Sequence, residues 1–180
     1  MKSKQIAMTA ILLAICIASQ FLKNLSMFIT GPIINAVIIL AVAECGLVPG
    51  IIISIITPIT SFFITGSPIV AAIPYIMPCI MLGNVILALA VGIFSKRENG
   101  LIVSKTMITP MIWGVIVKSI FMGVSISLIL IPMFLPEKMQ AKMAVFQTTF
   151  SFNQLYTGLI GCVLAMFIYK ILLRLEINKA

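Results

Sequence analysis

The chain contains no histidine and no aspartate, and its acids are four glutamates, Glu44, Glu98, Glu137 and Glu176. General acid–base catalysis draws on histidine or on paired carboxylates. Metal centres draw on clusters of His, Cys and carboxylate, and intramembrane proton relays on chains of Asp, Glu and His. Four scattered glutamates build none of these. The expectation is a protein that is not an enzyme, holds no metal and needs no cofactor. The same shortage argues, more weakly, against a proton-driven transporter. Charge of any kind is scarce, with 9% of the 180 residues charged against 62% hydrophobic. A soluble domain of this length needs about a quarter of its residues charged, so the outer surface here must face lipid. Cys16, Cys45, Cys79 and Cys162 are scattered without a C-x-x-C pair and read as small apolar packing residues. The G-x-x-x-x-G-K-[ST] phosphate loop is missing, and so is the internal repeat that many secondary transporters show. If the protein moves a solute uphill, the energy comes from another subunit.

What is present is a series of apolar runs. Their spacing predicts an all-α fold: one transmembrane domain over residues 1–180, an integral membrane bundle of six transmembrane helices. Helix 1 runs from Ile6 to Phe21. Its basic start resembles a signal peptide, but the rest of the chain is as apolar and needs no soluble export. Helix 2 runs from Ile29 to Ala43, short for a span, and a tight turn follows over Glu44–Gly50. Helix 3 covers Val48–Ile64, with Pro58 as a kink. Helix 4 covers Ile69–Phe94 with Pro74 and Pro78 breaking its first half. A solvated loop spans Ser95–Lys105, helix 5 covers Met107–Ile131, a second loop spans Pro132–Lys142, and helix 6 runs from Met143 to Leu173.

Lysine and arginine near the helix ends set orientation. One side carries Lys2, Lys4, Lys96, Arg97, Lys105, Lys170, Arg174 and Lys179, and the other Lys23, Lys138 and Lys142. This split places both termini in the cytoplasm. It also accounts for the formal charge of +8 through topology and the lipid bilayer, with no nucleic-acid partner.

The remaining cation, Lys118, falls near the middle of helix 5. A charge at that depth costs several kcal/mol. It must face a polar cavity, find a partner or lose its proton. No acid lies at comparable depth, so a ligand carboxylate or another anion is the natural counter-charge; a lysine that snorkels or bonds to Asn and Ser neighbours is the plainer alternative. Asn84 lies at similar depth in helix 4, either touching substrate or joining helices. Asn35 is a similar case in helix 2. Asn153, Gln154 and Tyr156 in the outer half of helix 6, with Gln147 and Thr148 above and Ser125 and Ser127 of helix 5, are candidates for an outward-facing pocket. Tyr75 sits in the broken half of helix 4, where irregular backbone at membrane depth tends to line a cavity. On helix 1, Ala10, Ala14 and Ala18 share one face, which permits close approach of another helix, within the bundle or from a partner subunit.

The size, the six spans, the basic character and the Ala10-x-x-x-Ala14-x-x-x-Ala18 pattern resemble the substrate-binding S component of the energy-coupling factor transporters. The segment Ile29-Thr30-Gly31-Pro32-Ile33-Ile34-Asn35-Ala36 is similar to the start of the second helix in some members. The resemblance implies a multi-pass protein of a prokaryotic plasma membrane. It would bind a vitamin or related micronutrient from outside, for ATP-driven uptake by a transmembrane scaffold subunit and two cytoplasmic ATPases. It implies a docking role for Ala10, Ala14 and Ala18, and a ligand site in Leu25–Gly31, Tyr75, Asn84, Lys118, Ser125, Asn153 and Gln154. Lys118 tips the substrate toward an anion. The competing readings are an autonomous secondary transporter or channel, and a structural or assembly factor of the membrane.

Overall fold

The computed structural model describes residues 3–22, 27–98 and 101–177. It is an all-α bundle in which six helices are long and apolar enough to cross a membrane. Helix α1 spans Ser3–Gln20, α2 Met27–Leu40 with a wider π-type turn continuing it over Ala41–Cys45, and α3 Leu47–Thr65. A short helix α4, Pro68–Ala72, precedes α5, Ile76–Phe94. A small hairpin pairs β1, Arg97–Glu98, with β2, Leu101–Ile102. Helix α6, Ser104–Met122, continues through wide π-type turns over Gly123–Leu130 into α7, Ile131–Phe134. A 3-10 segment, Glu137–Lys142, leads into α8, Met143–Phe150, and α9, Phe152–Ile177.

Helix α2 is the centre of the bundle. Every residue from Ala36 to Ala43 is buried, as expected of a helix that is apolar all round. It packs most closely on α9. A Cβ on Gly161 would sit 2.7 Å from Cβ of Asn35 and 2.9 Å from the carbonyl of Pro32, and one on Gly31 would sit 2.8 Å from Cβ of Thr157. With no hydrophobic drive between helices in lipid, such close approach supplies the dispersion contacts that hold them together. The turn after α2 needs Gly46 at φ +106°, and α3 ends on Gly66 at φ +57°, both in the region that favours glycine.

One end of the bundle is defined by polar side-chain contacts to backbone carbonyls of the π-type turn and the hairpin. Arg97 Nη2 donates to the Val42 carbonyl at 2.6 Å, and Gln5 Nε2 to that of Cys45 at 3.2 Å. Tyr169, fully buried, donates its hydroxyl to the Ile102 carbonyl at 2.6 Å. Lys4, Lys96, Arg97, Lys105, Lys170 and Arg174 gather at this hairpin end, and Lys138 and Lys142 lie at the far end. Lys2, Lys23 and Lys179 lie outside the described residues.

Three expectations change. The stretch Ser95–Lys105 is not a plain solvated loop: it folds into the hairpin, Ile102 is buried, and α6 begins at Ser104. Helix 5 does not stop at Ile131: the helical backbone continues through the wide turns into α7, which contains Pro132. Helix 6 is two helices, divided at Ser151 with φ −115° and ψ −90°. The expected break in helix 4 is present at Ile73–Tyr75, between α4 and α5. Pro78 takes no part in it, standing in the first turn of α5.

Candidate functional site

Lys118 is 2% exposed, and its Nζ donates to Oδ1 of Asn35 at 2.7 Å and to Oδ1 of Asn84 at 2.8 Å. Three spans meet at this point, α2, α5 and α6. Each asparagine is oriented by its own backbone contact. Asn35 Nδ2 donates to the Gly31 carbonyl at 2.9 Å, one turn back on α2. Asn84 Nδ2 reaches the Ser54 carbonyl of α3 at 3.4 Å. That carbonyl is free because the residue four positions on is Pro58, which has no N–H to give it. The proline in α3 thus helps to set the amide that faces the lysine.

Both partners of the ammonium are neutral oxygens. Glu44 is nine residues further along the α2 span, about 13 Å away at 1.5 Å per residue, and belongs to the hairpin end. The nitrogen is satisfied in hydrogen bonds to asparagine, the plainer of the two expectations for it, and among the described residues no carboxylate bonds to it.

The cluster lies against a cavity of about 290 Å³ in the half of the bundle away from the hairpin. Asn35, Asn84, Lys118 and Gln154 line it together. Gln154 enters it from α9 with no side-chain partner among the described residues. The rest of the wall comes from the first half of α2 (Thr30, Gly31), the second half of α3 (Thr57, Ser61, Phe62), α4 (Ile69, Val70) and α8 (Phe146, Thr149, Phe150). No carboxylate is among the lining residues. The short helices α4 and α8 contribute Ile69, Val70 and Phe150 to one apolar cluster and to the wall of the space. Reciprocal bonds hold α8 to the wide-turn stretch: Ser127 Oγ donates to the Gln147 carbonyl at 2.8 Å, and Gln147 Nε2 to the Ser127 carbonyl at 2.9 Å. The chemistry on offer is one lysine amine and several neutral polar groups at the floor, beneath an aromatic and aliphatic roof.

The other expected residues are placed elsewhere. Tyr75 is exposed and packs its ring on Phe134, with centroids 5.9 Å apart. Ser125 returns its hydroxyl to the Phe121 carbonyl within α6. Neither residue, nor Asn153, lines the cavity. Gln147, Thr148 and Ser127 border a separate, more open groove between the π-type stretch of α6, α8 and α9. Tyr156 is exposed. Of Leu25–Gly31, Leu25 and Ser26 lie outside the described residues. Ala10, Ala14 and Ala18 are exposed along one face of α1.

Thr30 and Gly31, within the implied Leu25–Gly31 stretch, line the cavity, and Thr57, Ser61 and Thr149 line it without having been expected. For α3 a signal was available: Ser54, Thr57 and Ser61 recur at helical spacing in an otherwise apolar run and mark its inward face. Compared with protein-family models, with curated proteins and with solved structures, the chain matches none. It is a multi-pass membrane protein by its spans alone.

Proposed function

We propose that the protein is the substrate-binding S component of an energy-coupling factor transporter, and that it captures an anionic vitamin or related micronutrient in the cavity floored by Lys118. The observation that carries this reading is the Lys118 Nζ enclosed between two amide oxygens, beside a cavity with no acid in its wall. Amide oxygens satisfy the donors of a lysine but not its charge. An anion entering the cavity would complete the compensation at short range in a low dielectric, where such contacts are strongest. With the hairpin end in the cytoplasm, as the excess of basic residues there supports, the cavity opens toward the outside. A scaffold subunit would dock on the alanine face of α1, and two ATPases would drive release inward. The chain itself carries no catalytic step in this reading.

The test is mass spectrometry of the small molecules that co-purify with the protein from its native membrane, followed by titration of the identified compound. A stoichiometric anionic metabolite is expected. Lys118→Met should weaken its binding about tenfold to a hundredfold, the worth of one charge-assisted hydrogen bond. A protein that retains no metabolite and takes up none offered to it would remove the basis of the proposal. So would a ligand that Lys118→Met binds as tightly as the parent.

A further inference from the structure

We infer that the hairpin end carries a binding site for one anionic phospholipid, in the lipid-facing groove between α5 and α6. The groove has a volume of about 570 Å³ and is walled by Ile86, Leu89 and Ile93 of α5 and by Thr109, Trp113 and Val117 of α6. Its floor is set by a close helix contact. A Cβ on Gly114 would lie 2.9 Å from Cβ of Ala90 and 3.0 Å from Leu87 Cδ1, so the helices touch along small residues while larger side chains stand up on both sides. Trp113, Ile93 and Phe94 are among the most exposed apolar residues of the two helices. A hydrocarbon chain lying in such a trough gains contacts from two walls and a floor, where a flat helix face offers one side.

Length and charge select the occupant. From Phe94 to Ile86 and from Thr106 to Val117 the groove covers about 12 to 16 Å of helix rise. That is about half of a 30 Å hydrocarbon core, the depth of one leaflet. Its mouth lies at the hairpin end, where Lys96 follows α5 and Lys105 stands in the first turn of α6, both exposed. The two are tied to the groove locally: the Lys96 backbone N–H donates to Thr106 Oγ1 at 3.1 Å, and Thr106 is part of the groove wall. Arg97 adds positive charge although its guanidinium turns inward to Val42, and Glu98 is the acid on the same hairpin. A lipid with one acyl chain in the groove therefore presents its phosphate to two lysines, the arrangement by which basic sites at helix ends recognise anionic headgroups. The inference is independent of the substrate cavity, which lies in the other half of the bundle.

The test uses the full chain, delipidated in mild detergent, with native mass spectrometry of its adducts. The probes are phosphatidylglycerol and phosphatidylcholine with identical acyl chains. One phosphatidylglycerol per protein is expected, preferred about tenfold to thirtyfold, as two lysines beside one anionic headgroup provide. Lys96→Gln with Lys105→Gln should abolish the preference. Thr109→Phe, an exposed position in the trough, should remove the adduct without touching the interior. Lys138→Gln with Lys142→Gln, at the far end, should change neither. Equal adducts with both lipids would overturn the site, as would a preference governed by the far-end pair. So would an adduct that survives Thr109→Phe. A groove that takes neither lipid belongs to a protein partner, and the inference fails.

Discussion

Replacing Asn84 with leucine removes one of the two oxygens that hold the buried lysine. What it costs depends on whether that lysine is charged. Asn84 makes a short bond to Lys118, at 2.8 Å, and a long one to the Ser54 carbonyl, at 3.4 Å. A hydrogen bond to a buried charge contributes about 1.5–3 kcal/mol. A neutral bond between helices in a membrane averages about 0.6 kcal/mol, and the 3.4 Å contact is weaker still. With a cationic lysine, Asn84→Leu should therefore cost about 2 kcal/mol, or about 4–8 °C in Tm for a domain of this size. In a Lys118→Met background the same substitution loses only the Ser54 contact, and its cost should fall below about 0.6 kcal/mol. The assay is thermal unfolding in detergent of the four members of the cycle, with near-ultraviolet circular dichroism checking that each is folded. A coupling of about 1.4–2 kcal/mol, the difference between those two costs, identifies an ammonium bridging α2, α5 and α6. A coupling below about 0.6 kcal/mol refutes that reasoning, because two neutral amides around a neutral amine would give the same small value.

Three further outcomes follow from the packing. Gly161→Ala should cost about 1–3 kcal/mol and lower the yield of monodisperse protein, because its methyl must displace the Pro32 carbonyl and Asn35; a Tm within 1 °C of the parent by the rule of about 2–4 °C per kcal/mol would contradict the close contact. Gln147→Ala removes the donor of one bond and the side chain that ties α8 to Ser127, so hydrogen exchange in Met143–Phe150 should accelerate about threefold to tenfold with exchange elsewhere unchanged, the equivalent of about 1 kcal/mol. On the proposed function, Ala14→Leu, at an exposed position of α1, should leave Tm and ligand binding intact while reducing uptake at least about tenfold; uptake at the parental rate would remove the proposed docking role of α1.

The sites that sequence reasoning reached are those where the chain breaks a rule of its own environment. Lys118 stands out because a cation in an apolar span has few explanations. Asn84 and Asn35 stand out for the same reason in weaker form. Gln154 was selected along with Asn153, and only one of the two faces the cavity, because two polar residues adjacent on a helix point about 100° apart and local pattern does not say which way the helix is turned. Tyr75 was selected correctly as part of an irregular segment, but the direction of its ring depends on Phe134, which is 59 residues away in sequence. Thr57, Ser61 and Thr149 of the wall were less legible, since a threonine in an apolar run returns its hydroxyl to its own helix whether or not a cavity lies beside it, as Thr57 does toward Ile53.

Composition and spacing alone determined that this chain lives in a bilayer, how many times its helices are long enough to cross it, and that one of those helices carries a lysine at mid-depth. These are local or additive properties: each depends on how many apolar residues follow one another and on the cost of a charge among them. Tertiary structure alone decided that Lys118 rests on Asn35 and Asn84, that α2 is the central helix, and that α8 lines the cavity. Those outcomes are set by helix rotation and by close contacts at Gly31 and Gly161, which depend on the shapes of several spans at once and have no signature in any one of them.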